Sequence, residues 1–526
     1  MTLRALDGFA PLRGRAFRTL WLAQFASNIG GWMQTVGAQW LMLSLSGSAA
    51  YLAFVQSAAS LPVLLFAIPA GVAGDLFDRR RLLLVCEAAM ALASLALAGL
   101  AVAGLVTPWI LLALLFAIGA GQAWSAPTWQ SLQPELVPAE QRPQAIALGS
   151  VNQNLARAIG PAIGGVLIAV SAPSTTFFVN AASFLVVIVA VARWRERTRD
   201  LAATTLPREH ALAATRSSGR YVAHSPLLKA ILLRAGVFVF FASAVWALLP
   251  SVATRELGLG SGGYGLLLGC VGIGAVAGAV ALPAVRAALR PERVLALGTV
   301  LVAGAAAVLA AVPVVAVACV ALVVAGTGWI LSLATLNSTF QASLPGWVKA
   351  RGLAFYLVVF QGGNAIGSAV IGLLAARFGV TGTLGAAAAL LALSPLIARL
   401  APIPDITPDE LRPAGDVPAS HALATDVGGP VMVTLEWRAR PGEAGALAAT
   451  IAAGEPARRR TGATAWSSWA DAEDPDRIVE QFVVTSALEH QRQHERMTVR
   501  DRARIADAAA LAVGPPVTTH WTHAQP

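Results

Sequence analysis

Before Pro402 the sequence is a succession of apolar runs, each long enough to cross a bilayer core of about 30 Å, which takes about 20 helical residues. Twelve such runs are present, at 17–45, 51–74, 82–105, 107–128, 144–171, 174–194, 228–254, 262–289, 292–311, 313–339, 349–377 and 380–401. Inside lipid every backbone polar group has to be bonded within its own segment, so runs of this kind fold as helices. The expected fold is an all-α polytopic membrane bundle of twelve transmembrane helices. Only 13% of residues are charged and the mean hydropathy is +0.66, which excludes an ordinary soluble protein.

Basic residues set the orientation. Arg79 to Arg81, Arg142, Arg193 to Arg220, Lys229, Arg286, Arg290, Arg293, Lys349 and Arg351 all fall in loops of one parity, whereas Arg255 and Arg377 fall in the other. The positive-inside rule makes the first side cytoplasmic, with both termini there. Arg4, Arg13, Arg15 and Arg18 precede a first run too long for the core of a cleaved leader, so this segment is expected to stay in the membrane. The net charge of +10 is spread over these loops instead of gathering on one face, which argues against a nucleic acid partner. Cys86, Cys270 and Cys319 lie within apolar runs without metal-ligand spacing. No metal and no cofactor are expected.

Polar residues inside these runs are costly in lipid, and they mark candidate functional positions. Arg157 stands in the fifth run, with Asn152, Gln153 and Asn154 just before it. The first run carries Gln24, Asn28, Gln34 and Gln39 with Trp21, Trp32 and Trp40, and amides at such depth either join helices or line a cavity. Gln361 and Asn364 lie at comparable depth in the eleventh run, and Trp246 in the seventh. The candidate solute-binding set is Gln24, Asn28, Asn152, Asn154, Arg157, Trp246, Gln361 and Asn364. Carboxylates are sparse: Asp75 and Glu87 stand near the ends of the second and third runs. With a deep positive charge, an anionic or polyphenolic solute fits better than a lipophilic cation.

The stretch ARAIGPAIGG, Ala156 to Gly165, resembles the fifth-helix antiporter motif of major facilitator exporters through Gly160, Pro161, Gly164 and Gly165. The stretch GVAGDLFDRRR, Gly71 to Arg81, resembles the loop signature of the same superfamily through Gly71, Asp75, Arg79 and Arg80, although Asp78 stands where glycine is usual. These resemblances imply export and a conformational-switch loop in which Asp75 caps the next helix or pairs with an arginine. AIGPAIGG at 158–165 matches AIGSAVIG at 365–372, with Ser368 in place of the proline, an offset that a duplicated six-plus-six bundle predicts.

The expected division is a first half at 1–194, a polar inter-half loop at 195–227, a second half at 228–401, a linker at 402–430 and a small α+β unit at 431–526. In that unit, strands at Val431–Ala439, Ala463–Ala470, Ile478–Thr485 and Val517–Thr522 alternate with helices at Glu443–Arg458 and Ala487–Leu511, in the order βαββαβ of a ferredoxin-like domain. EHQRQHERMTVRDR, Glu489 to Arg502, with GPVMVTLEWRARP, Gly429 to Pro441, resembles the tail of the transmembrane secretion effector family, a branch of the major facilitators that includes enterobactin exporter-like proteins. The tail itself is similar to antibiotic-biosynthesis-monooxygenase-type domains. His490 and His494, at i and i+4, read either as a metal or haem pair or as a solvated or dimer-interface pair.

Together these readings imply a secondary exporter, coupled to protons as an antiporter, that moves a siderophore or similar anionic metabolite out through the cytoplasmic membrane by alternating access. It is not expected to be an enzyme. A broad multidrug pump for macrolide-like compounds is the alternative, and a membrane-tethered monooxygenase-like enzyme is a third reading. The expected partners are the small-molecule solute, the bilayer, and a second copy of the chain through the tail. No Walker-type phosphate loop is present to support ATP-driven transport.

Overall fold

Proline stands in the first turn of several helices, a short polar residue caps the start of a few, and glycine ends the first long one. Pro108, Pro173 and Pro291 occupy first turns, Thr107 accepts a bond from the Ile110 amide at 3.3 Å, and Gly47 closes the first long helix with a φ of 60°. The computed structural model of the chain describes residues 10–194, 211–345, 347–403, 410, 412, 414 and 429–522. Its long helices are α1 Arg15–Ser46, α2 Ala49–Leu76, α3 Arg79–Val102, α4 Pro108–Leu132, α5 Arg142–Val170 and α6 Pro173–Arg193 in the first half. A shorter α7, Ala211–Ala223, follows. The second half holds α8 Pro226–Ser251, α9 Ser261–Ala288, α10 Pro291–Ala311, α11 Val315–Ala342, α12 Lys349–Phe378 and α13 Val380–Leu393.

Among the described residues, eleven of these segments are long and apolar enough to cross a membrane. The expectation of twelve is met only to that extent. Helix α1 spans 32 residues, but Gln24, Asn28, Gln34 and Gln39 keep it outside the apolar set. It packs against α5 and α6, which gives its amides partners.

The contacts divide the chain into two compact units: Met1–Thr204, Leu233–Asn337 and Tyr356–Leu400 form one, and Thr205–Leu232, Ser338–Phe355 and Ala401–Pro526 the other. In the first unit α2 packs on α4, α3 on α6, α9 on α5 and α10 on α13. One apolar core joins Met42 of α1, Leu52 of α2, Leu97 of α3, Leu111 of α4 and Phe177 of α6.

The second unit contains a four-stranded sheet of β1 Val431–Arg438, β2 Ala465–Ala470, β3 Arg477–Val484 and β4 Val517–Thr522, ordered β2-β3-β1-β4 with every pair antiparallel. Alternation sends Val431, Val433, Leu435 and Trp437 into the core, where they meet Phe482, Leu447 and Ile451. The two expected tail helices are each divided. Gly454 separates α14 Ala444–Ala452 from α15 Glu455–Thr461, and a capping box of Thr498 with Asp501 starts α17 Val499–Leu511 after α16 Ala487–Glu495. Residues 195–210 of the inter-half loop lie outside the described residues. The remainder of the expected polar loop holds helix α7, in which Tyr221, Ser217 and Ser218 are buried.

Candidate functional site

Helix α5 meets α1 along the stripe Asn152, Ala156, Gly160 and Gly164, one residue per turn. Asn28 donates from Nδ2 to Asn152 Oδ1 at 2.8 Å, and Asn152 donates in turn to the Trp21 carbonyl at 2.9 Å. Gln24 Nε2 reaches Asn28 Oδ1 at 3.3 Å. Asn152 is 1% exposed, so this amide set joins two helices, and its outer member, Gln24, keeps a buried Oε1 without a partner. Arg157 lies beside the stripe, not on it. Its guanidinium carbon sits 5.4 Å from the centroid of Trp32, and its Nε has no partner. The side chain of Asn154 lies outside the described residues.

The second half presents an aromatic surface. The rings of Trp246 and Trp329 are 4.3 Å apart, Phe238 lies 5.6 Å and Phe360 6.1 Å from Trp329. Gln361, next to Phe360, is partly buried. Asn364 is committed to the seam between halves, where its Nδ2 donates to Ser60 Oγ at 2.8 Å, while Ser57 Oγ donates to the Ala365 carbonyl at 2.7 Å. The structure thus gathers Gln24, Asn28 and Asn152, seats Arg157 on Trp32, and assigns Trp246 to an aromatic cluster and Asn364 to packing.

The glycines of α5 act at contacts. A Cβ on Gly160 would stand 2.6 Å from Trp32 Cβ, and one on Gly164 3.0 Å from Met33 Cα. Gly165 reaches across to the second half, where a Cβ would meet Gly265 Cα at 2.6 Å. Helix α5 runs unbroken through Pro161, whose carbonyl faces Gly265. Beside this seam Tyr264 donates to Gln39, and Arg255 to the Gly47 carbonyl. The duplicated position, Gly372 on α12, meets Ala53 and Ala49 of α2 in the same way. These inter-half contacts cluster toward the end of the bundle that carries few basic residues.

At the arginine-rich end, the Asp78 side chain accepts from the Arg81 amide at 2.7 Å and caps α3, a role the sequence suggested for Asp75. Arg79 pairs with Glu135 at 2.8 Å, and Arg80 donates to the carbonyls of Val191 and Ala192. The signature therefore ties the start of α3 to the segment after α4 and to the end of α6. The side chains of Gly71 and Asp75 lie outside the described residues. Arg234 is buried and pairs with both oxygens of Glu292 at 2.6 Å.

In the second unit Glu489 accepts from Arg220 at 2.7 Å and from Arg496 at 2.7 Å. Arg496 lies 4.6 Å over Trp347, and Trp347 packs edge-on against Tyr221 at 5.4 Å. Arg460 pairs with Asp501 and lies over Tyr221. Burial pushes the Tyr221 hydroxyl up to about 12. His490 Nε2 lies 3.1 Å from His520 Nε2 and 3.2 Å from His494 Nε2. Desolvation first, then the neighbouring His494, pushes His490 down to about 4. Among the described residues no group of three or more His, Cys, Asp or Glu is arranged to hold a metal ion.

Sequence reasoning missed several partners. Gln34 Oε1 takes bonds from Ser94 at 2.8 Å and Asn180 at 2.7 Å, and Glu87 takes one from Trp129. A lone Asn180 within the apolar run 174–194 was the available signal.

A two-half helical bundle with polar residues in one half and an aromatic surface in the other defines a multi-pass membrane transporter of the major facilitator type. A bacterial homologue of the human lysosomal transporter Spinster, solved in an inward-facing and occupied conformation, superposes with a TM-score of 0.60 over 74% of this chain and 97% of that one, at 15% identity. The human organic anion transporter MFSD10 gives a TM-score of 0.52 over 74% and 99%, at 15% identity. Both likenesses bear on the fold alone. The chain belongs to the transmembrane secretion effector family, whose model matches residues 6–525. Among curated relatives, the staphyloferrin A transporter of Staphylococcus aureus is 28% identical over 32% of this chain and 42% of its own length. The multidrug efflux pump Tap of Mycobacterium tuberculosis is 31% identical over 34% and 44%, and macrolide efflux protein A of Streptococcus pyogenes 24% over 35% and 47%. The chain thus spans under half the length of these relatives.

Proposed function

We propose that this chain is a proton-coupled exporter of anionic, aromatic metabolites of the siderophore class, placed in the cytoplasmic membrane with both termini inside. The observation that carries this reading is Arg157 seated on Trp32 with its Nε unpaired. A guanidinium on an aromatic face offers a planar charge to a carboxylate or catecholate, with a ring beside it for the solute's own ring. Gln24 and Asn28, joined to Asn152 on the helix that carries Arg157, add polar groups to the same pair of helices, and the glycine seam at Gly165 and Gly265 supports a bundle closed away from the arginine-rich end. A relative that carries the name staphyloferrin A transporter supports the siderophore part of this reading, not the aromatic part.

A broad multidrug pump is the second reading, favoured by the cluster of Trp246, Trp329, Phe238 and Phe360, which suits apolar solutes, and by the relatives named for multidrug and macrolide efflux. The strand order of the tail is that of a ferredoxin-like domain. Its open sheet face exposes Trp469 and Trp521, the surface on which a tail-to-tail dimer would form.

The test compares iron-starved cells with and without the gene, measuring siderophores and their fragments inside the cells and in the medium. Accumulation inside, corrected by the intact chain and not by Arg157→Ala, supports the arginine route. Unchanged siderophore distribution with raised sensitivity to erythromycin moves the assignment to multidrug efflux.

A further inference from the structure

We propose that Glu87 is the group that takes up and releases the coupling proton, an inference that rests on the exporter reading. Glu87 lies in α3, about 12 Å along the helix from Arg79 at 1.5 Å per residue, and is 2% exposed. Leu83, Met90 and Ala91, all buried, stand on the same face of the helix. Its Oε1 accepts from the Trp129 indole N–H at 3.3 Å, and its Oε2 has no partner.

Among the described residues no arginine, lysine or histidine comes within 4 Å of this carboxyl. The charged and titratable groups around it are few. On α3 they are the Cys86 thiol, one residue away, and the arginines of the first turn. Arg79 of that turn is paired with Glu135, and Arg80 is bonded to the end of α6. From α4 the neutral Trp129 donates to it, and Arg193 at the end of α6 is exposed.

A carboxylate anion in this position has one neutral donor and no counter-charge, whereas the carboxylic acid is an acceptable neighbour for apolar side chains. Loss of the proton therefore favours rearrangement of the seam between α3 and α4. That seam has a second strut, Arg79 to Glu135, at its arginine-rich end. The carboxyl is thus placed where its charge state bears on the contact between α3 and α4. In one cycle Glu87 gains a proton from the acidic side and loses it to the cytoplasm as the solute moves out, with no other bond made or broken.

The experiment uses the full chain in everted membrane vesicles with an acidic lumen, with 2,3-dihydroxybenzoylserine and erythromycin as transported probes. Glu87→Gln is expected to abolish gradient-driven uptake of whichever probe the unaltered chain carries, while Cys86→Ser leaves uptake unchanged. Uptake by Glu87→Gln equal to the unaltered chain overturns the proposal. In parallel, infrared spectra of the purified chain are expected to show a protonated carboxylic acid carbonyl band that titrates, is lost in Glu87→Gln and shifts in Trp129→Phe. Absence of that band overturns the proposal whatever the variants' folding. If the unaltered chain takes up neither probe in response to the gradient, the exporter reading fails for them, and the infrared band alone decides whether Glu87 exchanges a proton.

Discussion

Gly165 and Gly265 meet backbone to backbone: a Cβ on the first would lie 2.6 Å from the Cα of the second, and one on the second 2.7 Å from the Cα of the first. Neither helix can yield without moving as a whole. Gly165→Ala is expected to destabilise the closed seam by about 1–3 kcal/mol, the usual cost of overpacking, and to lower export. Gly382→Ala is the control, because a Cβ there meets nothing within 4 Å. The midpoint of thermal unfolding in detergent, compared between the two variants, checks this.

Arg157 rests on Trp32, so charge and ring can be separated by substitution. Arg157→Ala is expected to reduce export of a catecholate at least about tenfold, equivalent to about 1.4 kcal/mol, and to leave erythromycin efflux nearly intact. Trp32→Phe should cost less. Transport of both probes by the three proteins decides it, and equal losses for both probes would count against an anion route.

Arg234 is buried and held by Glu292, itself about one third exposed. Removing the carboxylate by Glu292→Ala leaves the guanidinium without that partner, and a loss of about 1–3 kcal/mol is expected, below the full cost for a wholly buried pair. The double variant Arg234→Met with Glu292→Gln should recover part of it. Detergent melting curves of the single and double variants supply the measurement.

His490 has its proton affinity lowered by burial, so the unfolded tail binds a proton more readily than the folded one between the ordinary histidine range and about 4. Its contribution is therefore fully present above pH 6.5 and is lost as pH falls toward 4, amounting to about 3 kcal/mol at most. Gln493 fixes the arrangement: its Nε2 donates to the Arg458 carbonyl and Thr461, so its Oε1 accepts from His490 Nδ1. Urea unfolding followed by tryptophan fluorescence at several pH values should show the loss, and His490→Gln should flatten it.

Glu489 holds two arginines from different segments. Glu489→Ala is expected to free α7, seen as faster hydrogen exchange over Ala211–Ala223, with β1 and β3 unaffected. Unchanged exchange in α7 would show that Tyr221 and Trp347 hold the contact without it.

Much of the architecture was legible because lipid leaves few options. A run of about 20 apolar residues has to be a helix, and strand alternation from Val431 to Trp437 leaves no doubt which face is buried. Helix α1 is the instructive exception, since the amides that lower its hydropathy are those that bind α3, α5 and α6. The candidate site was legible as residue types but not as pairings. Asn152 was legible as a polar residue at depth, but its bonds to Asn28 and the Trp21 carbonyl were not, because those partners lie more than 120 residues away. Asp78 looked like a defect in a glycine position and is the helix cap. The Glu489 contacts with Arg220 and Trp347's neighbour Arg496 left no local pattern at all.

Arg220 and Glu489 are separated by 269 residues. During synthesis α7 leaves the ribosome long before α16 exists, and at about 5–20 residues per second the wait lasts from about ten seconds to about a minute. Through that interval Tyr221, buried in the finished protein, has no tail to cover it. The later-made sheet domain therefore sets when the middle of the chain becomes mature, and a chaperone or protease that meets α7 early competes with that domain for it.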